Sequence, residues 1–276
     1  MKIAISKKSF LRIISTVLLF LLIIKIPLDK AFERILDQET AYYVEKIILS
    51  CIIIFFSVFS IKKLGFQYIS GLTNPRTSFI FMYLLPLYIA FFSDFTNVKD
   101  LVLLDLIIPL TGIVLYAFAE ELIFRGLILI TLLKNNLHSL TNIKRSVVIS
   151  AFIFGCTHFV ALYTYDFVSV LCQVIYAFIF GLFFGVLLIK GQNIYLLGVV
   201  HGIVNLMSRI GSIRNSDNNG IENVSLDENQ SNLLSPLIII FIFMPLLLVA
   251  IYLLKRIVIT DVLRLQDAAD KDIQIR

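Results

Sequence analysis

The stretch Leu115-Tyr116-Ala117-Phe118-Ala119-Glu120-Glu121-Leu122-Ile123-Phe124-Arg125-Gly126-Leu127-Ile128-Leu129-Ile130 sets two adjacent carboxylates and a guanidinium inside an apolar run. That run extends over 101–133 and is one of eight; the others are 9–27, 44–61, 79–93, 146–163, 167–189, 194–210 and 233–254. A helix that crosses a bilayer takes about 20 mainly apolar residues. The chain therefore reads as an all-α, polytopic membrane helical bundle of about eight transmembrane helices. Composition agrees: of 276 residues, 59% are hydrophobic and 16% charged, against about 25% charged in soluble domains. Mean hydropathy is +0.92. The net charge of +5 would suit nucleic acid in a soluble protein. In a membrane protein excess Lys and Arg gathers in cytoplasmic loops, so no nucleic-acid partner is expected and the lipid bilayer is.

Loop charge gives an orientation. As one straight helix, 101–133 would be ~50 Å long, too long for a ~30 Å hydrocarbon core. It is either one span with an interfacial lead-in bent at Pro109 and Gly112, or two spans. With one crossing, Lys2, Lys7, Lys8 and Arg12, the 62–78 loop, the 134–145 loop and the tail (Lys255, Arg256, Arg264, Lys271, Arg276) share a side. Segments 94–100, 164–166 and 211–232 fall opposite and carry Lys99 and Arg214. Both termini are then cytoplasmic. The first run lacks a small-residue cleavage site after Ile24 and is expected to stay as an anchor. Cys51, Cys156 and Cys172 each lie in an apolar run and read as buried hydrophobes. The divisions expected are three N-terminal transmembrane helices over 1–100, a core over 101–210, a polar loop over 211–232, and a last helix with a basic tail over 233–276.

Charged groups at the bilayer centre cost about 2.5–3.5 kcal/mol each on insertion scales, so those that persist point to function. Glu121 and Arg125 are four apart and can pair along one helix. Glu120 is turned about 100° from Glu121 and about 140° from Arg125, and has no cation of its own. Phe154-Gly155-Cys156-Thr157-His158 puts Phe154 and His158 on one face of the next span, and His201-Gly202-Ile203-Val204-Asn205 repeats an i, i+4 polar pair further on. His138, in the basic 134–145 loop, is expected to be solvated. Gly181 and Gly185 read as a helix-packing face.

These groups suit hydrolysis of a peptide bond: a carboxylate base for water, imidazole to move the proton, and N–H donors from His201 and Asn205 for the oxyanion. The spans carry no Ser–His pair, aspartate pair or His-Glu-x-x-His helix. Glu120, His158 and His201 also make a ligand set for a divalent metal such as zinc, and the sequence leaves open whether the cofactor is such an ion or none.

Glu120-Glu121-x-x-x-Arg125, Phe154-x-x-x-His158 and His201-x-x-x-Asn205, in this order on apolar helices, resemble the motifs of the CPBP family of CAAX proteases and bacteriocin-processing enzymes, also called Abi or type II CAAX prenyl endopeptidases. The resemblance covers about Gly112 to Arg209 and implies an intramembrane endopeptidase, described as a metalloprotease or as a metal-free glutamate protease. By position, Glu120 would activate water with help from His158, Glu121 and Arg125 would support it, and His201 with Asn205 would stabilise the oxyanion. The implied substrate is a membrane-associated protein or peptide, with peptide or bacteriocin maturation or immunity as the setting. High Ile, Asn and Lys usage suits a bacterial plasma membrane, with the chain crossing many times. Two other readings use the same residues: a non-enzymatic bacteriocin-immunity membrane protein and a proton-coupled transporter.

Overall fold

The computed structural model describes residues 5–73, 75, 88–90, 103–191, 193–209 and 234–274. The expected span 79–93, apart from 88–90, and the polar loop 211–232 lie outside the described residues. Every element among the described residues is helical: α1 (Lys7–Ile23), α2 (Asp29–Phe32), α3 (Gln38–Leu64) and α4 (Leu103–Glu121). From α4 the chain continues through a π-helical segment, Leu122–Leu129, into α5 (Ile130–Lys134). Beyond it lie α6 (Leu140–Thr157) with a 3-10 extension, His158–Tyr163, α7 (Phe167–Gly191), α8 (Ile194–Arg209), α9 (Leu234–Lys255) and α10 (Ile259–Gln274).

Among the described residues three helices are long and apolar enough to cross a membrane unaided: α3, α6 with its extension, and α7. A fourth crossing results if α9 and α10, which meet at a 78° bend, count as one broken span. The expectation of eight also counts shorter runs, α1 with 17 residues and α8 with 16, and the run 79–93, most of which lies outside the described residues. The long run 101–133 is a single helical path in the structure from Leu103 to Lys134. Pro109 lies inside α4, and the change of helix type falls at Leu122 rather than at Pro109 or Gly112.

Side-chain-free surfaces set the helix register. Gly112 lies against the Tyr43 carbonyl and Gly126 against Ile61, so α3 and α4 run parallel. Gly198 meets Phe118 and Gly202 meets Val114, so α8 runs antiparallel to α4. A Cβ on Gly198 would fall 2.0 Å from the Phe118 ring. Gly155, Gly181 and Gly185 face Val174, Ala151 and Val147, closing the α6–α7 pair as the small-residue spacing predicts. Helix ends are fixed locally. The Thr40 N–H donates to the Asp37 carboxylate ahead of α3, and Gly65 stops α3 in the left-handed region at φ 60°.

One end of the bundle collects the basic segments. Asn135 donates to Ser9, Lys144 to the Lys255 carbonyl, Lys190 to the Arg256 carbonyl, and Gln266 to the Leu137 carbonyl. The backbone N–H groups of Tyr68 and Ile69, just past α3, donate to Asp272 of α10. Arg12 and Lys134 both stand over the Phe66 ring. The other end holds the close of α1, the starts of α3, α4 and α7, and the close of α8. The α1–α3 connection also comes to that end and brings Lys25, Lys30 and Arg34 with it, beside Asp29, Glu33, Asp37 and Glu39.

Candidate active site

Glu120 and Glu121 close α4, and the π-helical turn begins at once. A π turn accommodates an extra residue, which rotates the succeeding side chains by about 100° relative to an uninterrupted α-helix, and such turns recur at functional sites. All eight residues of the segment are buried. The Ser150 hydroxyl of α6 donates to the Phe124 carbonyl at 3.1 Å and so ties the widened turn to its neighbour. Ser150 is a site support that sequence reading missed, since one serine in an apolar span carries no signal of its own.

Arg125 is 1% exposed, and its guanidinium carbon stands 4.5 Å from the Phe154 ring centre and 5.6 Å from that of Phe184. Its Nη1 lies 3.0 Å from Glu121 Oε1, the i, i+4 pair the spacing suggests. The approach is a close ion pair without hydrogen-bond alignment, as Nη1 and Nη2 make no hydrogen bond among the described residues. The same Glu121 oxygen accepts a 2.8 Å hydrogen bond from His201 Nδ1 on α8. That contact fixes the imidazole with Nε2 turned toward Glu120, whose Oε2 is 3.8 Å away. His201 thus stands between the two glutamates, its ring tilted against Phe184 at 5.3 Å.

His158 is the first residue of the 3-10 extension, so it lies at a change of helix type and not within an α-helical span. Its Nδ1 donates to the Phe154 carbonyl at 3.0 Å, and the carbonyl can only accept; the unprotonated nitrogen of a neutral ring is then Nε2. The Phe154 ring sits edge-on between the imidazoles, 5.0 Å from His158 and 6.4 Å from His201.

Glu120, His158, His201 and Asn205 line one cavity of about 780 Å³, while Glu121 and Arg125 lie behind its wall. Helices outside the three motifs contribute as well: Phe20 from α1, Tyr43 and Lys46 from α3, and Phe243 from α9. Lys46 Nζ is held 4.9 Å over the Tyr116 ring and 5.1 Å over that of Tyr42. No local sequence pattern marks these residues, because their place on the wall depends on how α3 sits beside α4. The three residues named as a metal set, Glu120, His158 and His201, share the wall of this cavity. Among the described residues no three His, Cys, Asp or Glu side chains converge to hold an ion. With Nδ1 of His158 on the Phe154 carbonyl and Nδ1 of His201 on Glu121, the nitrogen left to face the cavity is Nε2 in each ring.

No curated protein and no solved structure matches the chain. The family model described as type II CAAX prenyl endopeptidase Rce1-like matches residues 102–207, which run from α4 to the last turn of α8 and contain all three motifs. Over this segment, 106 of the 276 residues, the chain is similar to the type II CAAX prenyl endopeptidases of the Rce1-like kind.

Proposed function

We propose that the protein is an intramembrane endopeptidase that cuts a membrane-associated protein or peptide with a water activated by Glu120. What supports this most is the meeting of Glu120, His158, His201 and Asn205, from three separate helices, on the wall of one cavity. Water held at the Glu120 carboxylate, with His158 Nε2 as a second acceptor, loses a proton to Glu120 as its oxygen attacks the peptide carbonyl. Negative charge forming on the carbonyl oxygen is met by the Asn205 amide and by His201 Nε2–H. His201 donates from Nε2 when both ring nitrogens carry protons, with Nδ1–H directed at Glu121. The proton taken by Glu120 passes to the leaving nitrogen as the C–N bond breaks. Glu121 is a positioning residue for His201, and Arg125 for Glu121.

The same reading sets the basic end of the bundle, with both termini, in the cytoplasm. The close of α3 and the start of α4 lie at opposite ends of the bundle, as an odd number of crossings between them requires, which agrees with the eight spans read from the sequence.

Mass spectrometry of membrane peptides from cells expressing wild type or Glu120→Gln tests the activity. Cleavage products present with wild type and absent with a variant that still inserts and purifies as a folded species are the expected result. An unchanged product set with Glu120→Gln refutes the assignment.

A further inference from the structure

Lys46 stands on the wall of the cavity, and the hydrolytic chemistry does not use it. Among the described residues that line the cavity with Glu120, His158 and His201, it is the one permanent cation. Its ammonium is 5.1 Å from the Tyr42 ring centre and 4.9 Å from that of Tyr116, so two aromatic faces steady it. Among the described residues no carboxylate lies within ion-pair distance of it. Glu45, its neighbour in sequence, is turned about 100° away on α3 and accepts from the Asp29 N–H at 3.0 Å. A cation carried by an apolar helix is costly unless paired, and ring faces offset less than a carboxylate does.

The packing of α3 on α4 sets where this charge lies relative to the reacting groups. Gly112 meets the Tyr43 carbonyl and the Ile47 side chain, so Lys46 is level with the turn that follows Gly112. Tyr116, beside the ammonium, comes four residues before Glu120 and shares its helix face, about 6 Å away along the axis. An extended peptide advances about 3.3 Å per residue. A peptide whose carbonyl lies at Glu120 therefore brings a group about two residues away within reach of Lys46. Lys46 also falls outside residues 102–207, so the matched segment does not account for it.

We propose that Lys46 is a substrate-recognition residue, whose ammonium, steadied by Tyr42 and Tyr116, binds a carboxylate carried about two residues from the bond that is cut. That carboxylate belongs to an Asp or Glu side chain or to the C-terminus of the substrate. An ammonium is a compact point charge with three donors and demands no bidentate geometry, so it suits either source. This rests on the endopeptidase reading for the cut bond, while the binding itself needs no turnover.

Peptide capture tests the binding without catalysis. Full-length Glu120→Gln, immobilised in detergent, is offered an equimolar library of short apolar peptides in which one Glu, or a Gln in its place, occupies each position in turn. The library is made with free and with amidated C-termini, and captured peptides are counted by mass spectrometry. Peptides with a carboxylate are expected to be enriched about tenfold over amidated Gln peptides, the lower end for a hydrogen bond to a charged group. Adding Lys46→Met should abolish the enrichment, and Lys46→Arg, which keeps the cation, should retain it. Enrichment of Glu over Gln among amidated peptides identifies a side-chain carboxylate, and enrichment that needs the free C-terminus identifies the terminal one. Equal capture of all classes by Glu120→Gln overturns the inference, as does an enrichment that survives Lys46→Met. Loss of every class with Lys46→Met in a chain that stays folded overturns it too, since that marks a residue that only shapes the wall. Should gel filtration show Lys46→Met to be misfolded, Lys46→Gln takes its place. Wild type is expected to cut the captured peptides about two residues from the carboxylate, and cuts at scattered distances overturn the placing of Lys46. Absence of any Glu120-dependent cut counts against the protease reading, while the capture ratio still decides the carboxylate site.

Discussion

Arg125 is the largest fully buried side chain among the described residues, and its charge is answered by one carboxylate and two aromatic faces. Removing one partner of a buried ion pair leaves the other uncompensated, at about 3–5 kcal/mol, whereas replacing both by groups of similar shape can be neutral. Arg125→Met is therefore expected to lower the thermal unfolding midpoint in detergent sharply, and Glu121→Gln with Arg125→Met to restore most of it. Activity should not return in the double variant, because Glu121 also holds His201 Nδ1. A double variant that regains full cleavage would remove Glu121 from its positioning role. The Glu121–Arg125 half of this arrangement was legible from a spacing of four. The His201 half was not: it joins residues 80 apart and exists only because Gly198 and Gly202 let α8 settle on Phe118 and Val114.

At the scale of the element, the sequence identifies apolar helices well and their internal irregularities badly. The π turn at Leu122 and the 3-10 turn at His158 both begin at or beside motif residues, yet hydropathy is indifferent to either, since each keeps apolar side chains buried or in lipid. Close packing is better marked. Gly181 places its missing Cβ 2.9 Å from the Ala151 Cα, a backbone atom that cannot swing aside. Gly181→Val should thus push α6 and α7 apart and destabilise by about 1–3 kcal/mol, as overpacking does. Denaturant unfolding in detergent reads this directly, and an unaltered midpoint would mean that α6 yields more readily than its packing implies. The start of α7 offers a gentler test. Asp166 precedes the helix and accepts from the Val168 and Ser169 N–H groups. Hydrogen bonds from the Ser169 hydroxyl and these N–H groups hold its carboxyl below the usual carboxylate range. The cap is thus complete above the ordinary aspartate pKa, about 3.9, and is lost as pH falls through the lowered value. Asp166→Ala should lose about 1 kcal/mol at neutral pH, with the gap to wild type closing in strong acid. Asp166→Asn should stay near wild type without that pH dependence.

For the molecule as a whole, charge asymmetry between loops was readable because it needs no knowledge of packing, while the cavity was not, since α1, α3 and α9 help to line it from outside the matched segment. The structure adds a division of labour along the bundle axis. The basic end is a clasp built on α10. Asp272 takes two backbone N–H groups, Lys190 pairs with Asp261 at 3.3 Å, Arg264 bonds Asp261 and the Lys190 carbonyl, and Gln266 reaches Leu137. None of the α10 residues lines the cavity. Stability and chemistry are therefore separable. Truncation after Val258 strips the Asp272 partner from the Tyr68 and Ile69 N–H groups and leaves Lys190 only the Arg256 carbonyl, and each buried polar group left unpaired costs about 1–3 kcal/mol, reduced where water reaches it. The truncated chain should unfold several degrees below wild type, and a protease should nick it near Phe66 to Leu72, the segment that Asp272 secures. Cleavage per folded molecule, measured on the products found for wild type, should be preserved, since Glu120, His201 and the wall between them keep every contact they had. Loss of turnover in a truncated protein that remains folded would show instead that α10 holds the register of α3 and α4 on which the cavity depends.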